Sequence, residues 1–264
     1  MLTYLKVDTR GLIPNGKVAI KLTENAFVDE WGVRWNRPKG GLYYDAVNAP
    51  LAEKEDFFID DFPRAMPWRI EEFEEKIETH KNNYGLVVHG MTSGALEMVC
   101  RLRGLENTFM ELLTEPKKVE KLLDIIVQIK CEYWSMVLSR FGKMISVTVE
   151  ADDLGTQTGL LISHELYRSY IKSAHKKIFS HIKKIAPNVK IFFHSCGAIR
   201  RLIKDLIETG IDILNPIQIA ASDMNPFDLK REFGKDLVFW GGGVDTQHIL
   251  PKGTPYEVSE NVKR

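Results

Sequence analysis

From Gly85 onward, apolar positions fall into short runs separated by longer stretches with a helical repeat. Residues 86–89 and 145–149 read as strands, as do 189–193, 211–214 and 237–240. Between them, residues 95–102 have helical spacing, and Pro116 sits where a first helical turn accepts proline. The helix it opens keeps Val119, Leu122, Leu123, Ile126, Tyr133, Trp134, Val137 and Phe141 on one face and closes at Gly142. Ser163 is a suitable N-cap for another, with Leu166, Ile171, Ala174, Ile178, Ile182 and Ile185 as its stripe. Ile199, Leu202, Ile203 and Leu206 predict a helix that stops at Gly210, and residues 226–233 predict a short one. The opening of a further helix is read at 255–264.

Residues 1–84 do not repeat this alternation. Residues 17–21 alternate like a short strand, and Trp31-Gly-Val-Arg-Trp35 followed by Gly40-Gly-Leu-Tyr-Tyr44 predicts a hairpin or meander. Its aromatic residues suit a core, a lid or a substrate wall. Pro50, Pro63 and Pro67 punctuate the next segment, and residues 70–80 read as an acidic, exposed helix.

Strands alternating with helices imply a parallel sheet with right-handed crossovers. A doubly wound sheet and a (β/α)8 barrel both fit. Polar residues favour the barrel, because they recur at the ends of successive strands: His89, then Glu150, Asp152 and Asp153, then His194 and Cys196, then Asn215 and Gln218, then Asp245. Barrel strands bring such ends to one site. The expectation is therefore an α/β chain of TIM-barrel type, incomplete, with five of eight barrel strands in residues 85–264 and an irregular hairpin segment at 1–84. One domain over residues 1–264 is expected.

Charge narrows the partners. Lys plus Arg and Asp plus Glu each number 36 among 264 residues, so no basic footprint for nucleic acid or an anionic membrane exists. No apolar run approaches the ~20 residues that span a bilayer, and Met1-Leu-Thr-Tyr-Leu-Lys has no signal-peptide pattern. Three unevenly spaced cysteines make no disulfide framework. A cytoplasmic protein acting on a small molecule is expected.

The chemistry concentrates at His194-Ser-Cys196-Gly197. Imidazole and thiol two residues apart in a continuing strand face the same side, where both can reach one metal; a buried pair with local hydrogen bonds is the alternative. Asp152 and Asp153 suit either a catalytic site or turn capping before Gly155, and Asp245 and Gln247 either a site or a loop cap. Cys100 and Cys131 lie within helices and read as ordinary thiols. Gly241-Gly-Gly243 lacks the spacing of a phosphate loop.

Gly159-Leu-Leu-Ile-Ser-His-Glu-Leu-Tyr, Phe193-His-Ser-Cys-Gly-Ala-Ile, Gly210-Ile-Asp-Ile-Leu-Asn-Pro-Ile-Gln218 and Phe239-Trp-Gly-Gly-Gly-Val-Asp-Thr-Gln247 together resemble the uroporphyrinogen decarboxylase superfamily, which includes zinc-dependent, corrinoid-linked methyltransferases. The resemblance implies a (β/α)8 barrel, of which this chain would be a piece truncated at both ends. It implies zinc on His194 and Cys196, with the methyltransferases' further cysteine falling beyond Arg264 and Asp152, Asp153 or Asp245 left as candidates to complete the site. Those aspartates are the expected catalytic groups, and His89, Asn215, Gln218 and Gln247 the expected substrate contacts. The implied reaction moves a methyl group from a corrinoid protein to a thiol or similar acceptor. The alternatives are decarboxylation of uroporphyrinogen III to coproporphyrinogen III in porphyrin biosynthesis, or a non-catalytic fragment. The decarboxylase branch is disfavoured: its arginine-rich N-terminal block is absent here, and its members lack the His-x-Cys-Gly that His194 to Gly197 present.

Overall fold

A computed structural model describes residues 6–263. The stretch read for a targeting signal lies largely outside them, as does Arg264. The fold is α/β, of incomplete (β/α)8 type. The chain divides into two compact units, one formed by residues up to Val147 with His181–Val189, the other by Thr148–Ser180 and residues from Lys190 on.

The first unit begins with β1 (Thr9–Leu12). An antiparallel meander comes next, in the order β2 (Val18–Thr23), β3 (Ala26–Asp29), β4 (Arg34–Asn36) and β5 (Asp45–Ala46). The hairpin expected around Trp31 is thus real, formed by β3 and β4, while residues 40–44 lie in the connection from β4 to β5. Asp29 organises the meander, accepting from the Trp31 and Val33 amides and, at 2.7 Å, from Trp35 Nε1. Arg69, almost fully buried, forks onto Glu30 at 2.6 and 2.8 Å, a bidentate pair that ties the meander to the proline-rich segment after it.

The acidic helix α1 (Phe73–His80) buries Phe73 and Ile77. β6 (Gly85–His89) then pairs parallel with β1, with Gly11 opposite Val87 and Leu12 opposite Val88. This adds a sixth strand to the five expected. β1 escapes a hydropathy reading because Arg10 and Gly11 fill half of it. Helices α2 (Ala95–Arg103), α3 (Leu105–Thr114) and α4 (Pro116–Phe141) complete this part. Gly104, at φ 92°, breaks what would be one helix into α2 and α3. The α4 stripe is buried as its spacing predicts, from Val119 to Phe141.

The second unit carries β7 (Val147–Ala151), with only its first residue in the other unit. The strand lies two residues later than the apolar run suggests, because Glu150 is buried inside it. A short α5 (His164–Leu166) starts at Ser163, whose Oγ accepts from the Leu166 amide at 3.2 Å. It passes through a π-turn at Tyr167–Ile171 into α6 (Lys172–Ile185), whose residues from His181 on belong to the first unit. Next come β8 (Lys190–His194), α7 (Ile203–Thr209), β9 (Ile213–Asn215), α8 (Pro226–Phe233) and β10 (Val238–Phe239), then α9 (Ile249–Lys252) and α10 (Pro255–Lys263). The strand order is β7-β8-β9-β10, with β8/β9 and β9/β10 parallel. Among the described residues the strands close no barrel.

The core of the second unit packs on the Ile191 and Phe193 face of β8. Ile191 and Phe193 are fully buried, as are Ile171, Ile199, Leu202, Ile203 and Leu206. Phe193 meets Phe179 edge-on with ring centres 5.7 Å apart. No helix among the described residues is long and apolar enough to cross a membrane.

Candidate metal centre

β8 ends at His194, and its register places Phe192 opposite Ile213, Phe193 opposite Leu214 and His194 opposite Asn215. Phe193 therefore points into the core while His194 takes the other face, one-third exposed. Alternation continues past the strand. Ser195 is buried, and its Oγ accepts from the Leu154 amide at 3.1 Å. Cys196 returns to the His194 side, and its Sγ lies 3.4 Å from His194 Nε2.

Gly197 makes this turn sterically feasible. Its φ of +87° favours glycine, and a Cβ there would lie 2.4 Å from the carbonyl carbon of Gly155. The loop after β7 runs against it, linked by the Ala198 amide donating to Thr156 O at 2.8 Å. Two glycines thus let the loops after neighbouring strands touch backbone to backbone.

That contact delivers the third donor. Asp153 Oδ1 accepts from the Cys196 amide at 2.8 Å and lies 3.8 Å from His194 Nε2. Asp153, His194 and Cys196 each offer one ligand atom, all within 4.8 Å of one another. Nitrogen, sulfur and carboxylate oxygen suit a borderline-soft divalent cation such as zinc, and three protein donors leave a position for substrate. The residues present therefore fit a metal.

Asp152, adjacent in sequence, has a different fate. It is fully buried and faces the opposite way, with Oδ2 3.0 Å from His175 Nε2. His175 Nδ1 lies 3.2 Å from the Tyr167 hydroxyl. Burial pushes the Tyr167 phenol far above its usual range, and the charges of Asp152 and Asp205 add to the shift. This buried Asp-His-Tyr line gave no sequence signal, since its members lie on different elements.

The remaining candidates divide. Asn215 Oδ1 is 2.6 Å from His194 Nδ1, so it touches the site directly. Gln218 Oε1 accepts from the Gly197 amide at 3.0 Å and from Gln157 Nε2 at 2.9 Å, bracing the same turn. Asp245 accepts locally from the Gln247 and His248 amides at 2.8 and 2.9 Å. The His248 amide leads the interactions that hold its carboxyl below the usual range. Gln247 is exposed in that loop. His89 closes β6 in the first unit, where burial lowers its imidazole's pKa and its carbonyl accepts from the Tyr133 hydroxyl at 2.8 Å. Cys100 and Cys131, both half-buried, also belong to the first unit.

A second polar group gathers on Asp205. Asp205, fully buried, accepts from Arg168 at 2.9 Å, Lys172 at 2.7 Å and His164 at 2.6 Å. Burial alone would raise its carboxyl, but hydrogen bonds from Arg168, His164 and Lys172 outweigh it and hold the group well below the carboxylate range.

Fold and site together define a barrel-type α/β domain carrying a nitrogen, sulfur and oxygen donor set past the ends of two neighbouring strands. The model of the family described as uroporphyrinogen decarboxylase (URO-D) matches residues 49–264, and the chain belongs to that family. Among solved structures it is similar to a methyltransferase from Methanosarcina mazei, at a TM-score of 0.58 and 15% identity over 88% of this chain and 67% of that one. A weaker likeness is to a GH10 endoxylanase from a sugarcane soil metagenome, with a TM-score of 0.46 and 12% identity over 76% of this chain and 66% of the other. No curated protein matches the sequence.

Proposed function

We propose that this chain is a methyltransferase-type enzyme of its family that binds zinc through His194, Cys196 and Asp153 and moves a methyl group from a methyl-corrinoid partner protein to a small thiol or similar acceptor. The observation that carries the reading is the convergence of three chemically suited donor atoms within 4.8 Å. Zinc bound there would hold the acceptor sulfur as a thiolate, the form in which sulfur is nucleophilic. The protein's own part is to hold its donors in place. Cys196 is fixed through its amide, Asp153 by the bond it accepts, and His194 through its second ring nitrogen. In the transfer the acceptor sulfur forms a bond to the methyl carbon as the donor's bond to that carbon breaks, and the electron pair stays with the donor.

The test is metal counting on chelator-stripped protein re-supplied with zinc. One zinc per chain is expected, with loss in His194→Ala and in Cys196→Ala. Unchanged zinc content in both variants would defeat the assignment. Decarboxylation of uroporphyrinogen at a rate indifferent to chelator would replace it with the family's other chemistry.

A further inference from the structure

We infer that Asn215 is a positioning residue that locks His194 in the tautomer carrying its proton on Nδ1, with the backbone carbonyl of Trp240 setting the direction of the relay. The importance of this lock for metal binding rests on the zinc reading above; the lock itself does not.

The relay starts from a group with no alternative role. The Trp240 carbonyl can only accept, and the Asn215 side chain meets it at 2.7 Å through Nδ2. Turning the amide over would set two oxygens against each other at that distance. The Trp240 carbonyl thus fixes which end of the amide faces which neighbour. Asn215 Oδ1 then faces His194 Nδ1 at 2.6 Å, and an oxygen that only accepts demands a proton there. In a neutral imidazole the lone pair falls to Nε2. Nε2 is the atom 3.4 Å from Cys196 Sγ and 3.8 Å from Asp153 Oδ1.

Each member of the relay is held by the sheet and not by the site. His194 and Asn215 are register partners across β8 and β9, so their side chains leave the same face side by side. The Asn215 carbonyl also accepts from the Ser195 amide at 2.9 Å. Trp240 comes directly after β10 and donates its amide to Leu214 O at 2.9 Å. The next residue, Gly241, passes so close to Pro216 that a Cβ would sit 2.0 Å from the Pro216 carbonyl oxygen. The carbonyl that orients Asn215 is therefore pinned from both sides. Outer partners of this kind orient a ligand ring, and their loss typically weakens metal binding by about 10–100-fold.

The test uses the full chain with isotope-labelled histidine, freed of metal by chelation, and His194→Gln to assign the His194 signal by its disappearance. Ring nitrogen and carbon shifts in the metal-free wild type should report a proton on Nδ1. Asn215→Leu, which removes both polar atoms, should abolish that preference and weaken zinc binding by about 10–100-fold. Asn215→Asp, which keeps an acceptor for Nδ1 but sets its second oxygen against the Trp240 carbonyl, should restore the Nδ1 proton at a cost in stability, with zinc affinity above that of Asn215→Leu. A proton on Nε2 in the wild type overturns the inference. So does an Asn215→Leu chain that folds and keeps both the wild-type tautomer and the wild-type zinc affinity. If Asn215→Leu does not fold, the wild-type tautomer still decides. A wild type with the proton on Nδ1 but no zinc uptake would support the lock while removing the metal reading.

Discussion

The amide of Cys196 donates to Asp153 Oδ1 at 2.8 Å, so the loop after one strand fixes the backbone of the thiol supplied by the next. A carboxylate placed this way does two jobs, bracing the loop and offering an oxygen to a cation. The jobs separate on substitution. Asp153→Asn keeps an acceptor for the amide but loses the charge, so its thermal midpoint should stay near wild type while zinc affinity falls by about tenfold or more. Titration of both proteins with zinc against a competing chelator measures the gap. Equal affinities would show that the carboxylate contributes no ligand.

Gly197 and Gly155 make a sharper structural prediction. A side chain at Gly197 meets the Gly155 backbone at 2.4 Å in a conformation that side chains disfavour. Gly197→Ala should therefore destabilise the chain by about 1–3 kcal/mol, the usual cost of backbone shifts forced by overpacking. Zinc binding should fall as well, because relief of the clash must part the loops that carry Asp153 and Cys196. Denaturant unfolding and zinc titration check the two effects, and an unperturbed Gly197→Ala would mean the loops are not closely apposed.

The βα alternation was legible because buried parallel strands are short apolar runs, and every such run found a strand within two residues of its expected place. β1 was hidden by Arg10, whose guanidinium stacks 3.6 Å from the Tyr84 ring centre and so sits in a strand without looking apolar. The side-by-side placement of His194 and Cys196 was legible through their spacing. The period-two rule also held the signal that separates Asp152 from Asp153, since consecutive residues leaving a strand face opposite ways. Only the folded chain shows which way is inward. The orientation of Asn215 was not legible at all, because the Trp240 carbonyl that decides it is a backbone group common to every residue.

Asp152 illustrates how a strand-end carboxylate can lie apart from the cluster of Asp153, His194 and Cys196. Its bond to His175, and that of His175 to Tyr167, lie wholly within the core of the second unit. Tyr167→Phe removes one buried hydroxyl at the end of this line and should cost about 1 kcal/mol, the typical net worth of a hydrogen bond, with zinc affinity unchanged. Asp152→Ala leaves His175 without this partner and should cost more, about 1–3 kcal/mol. Urea unfolding of the two variants measures both. Loss of zinc binding in a Tyr167→Phe chain of near-native stability would assign this line to the site.

Asp205 sets the expected acid sensitivity. Its carboxyl is held below the ordinary aspartate value in the folded chain, burial opposing the shift and Arg168, His164 and Lys172 more than reversing it. A group whose folded pKa is depressed contributes its full stability above the unfolded pKa, and loses it as pH falls towards the folded one. With an unfolded aspartate near 3.9, the contribution should be constant from neutrality down to about pH 5 and should decline below about pH 4. Asp205→Asn cannot carry the charge at any pH. Urea midpoints of wild type and Asp205→Asn should therefore differ by a fixed amount between about pH 5 and 7, the variant being the less stable, and should converge as the acid limit is approached. A difference that persists undiminished through the acid range would place the stabilisation in packing around residue 205 and not in its charge.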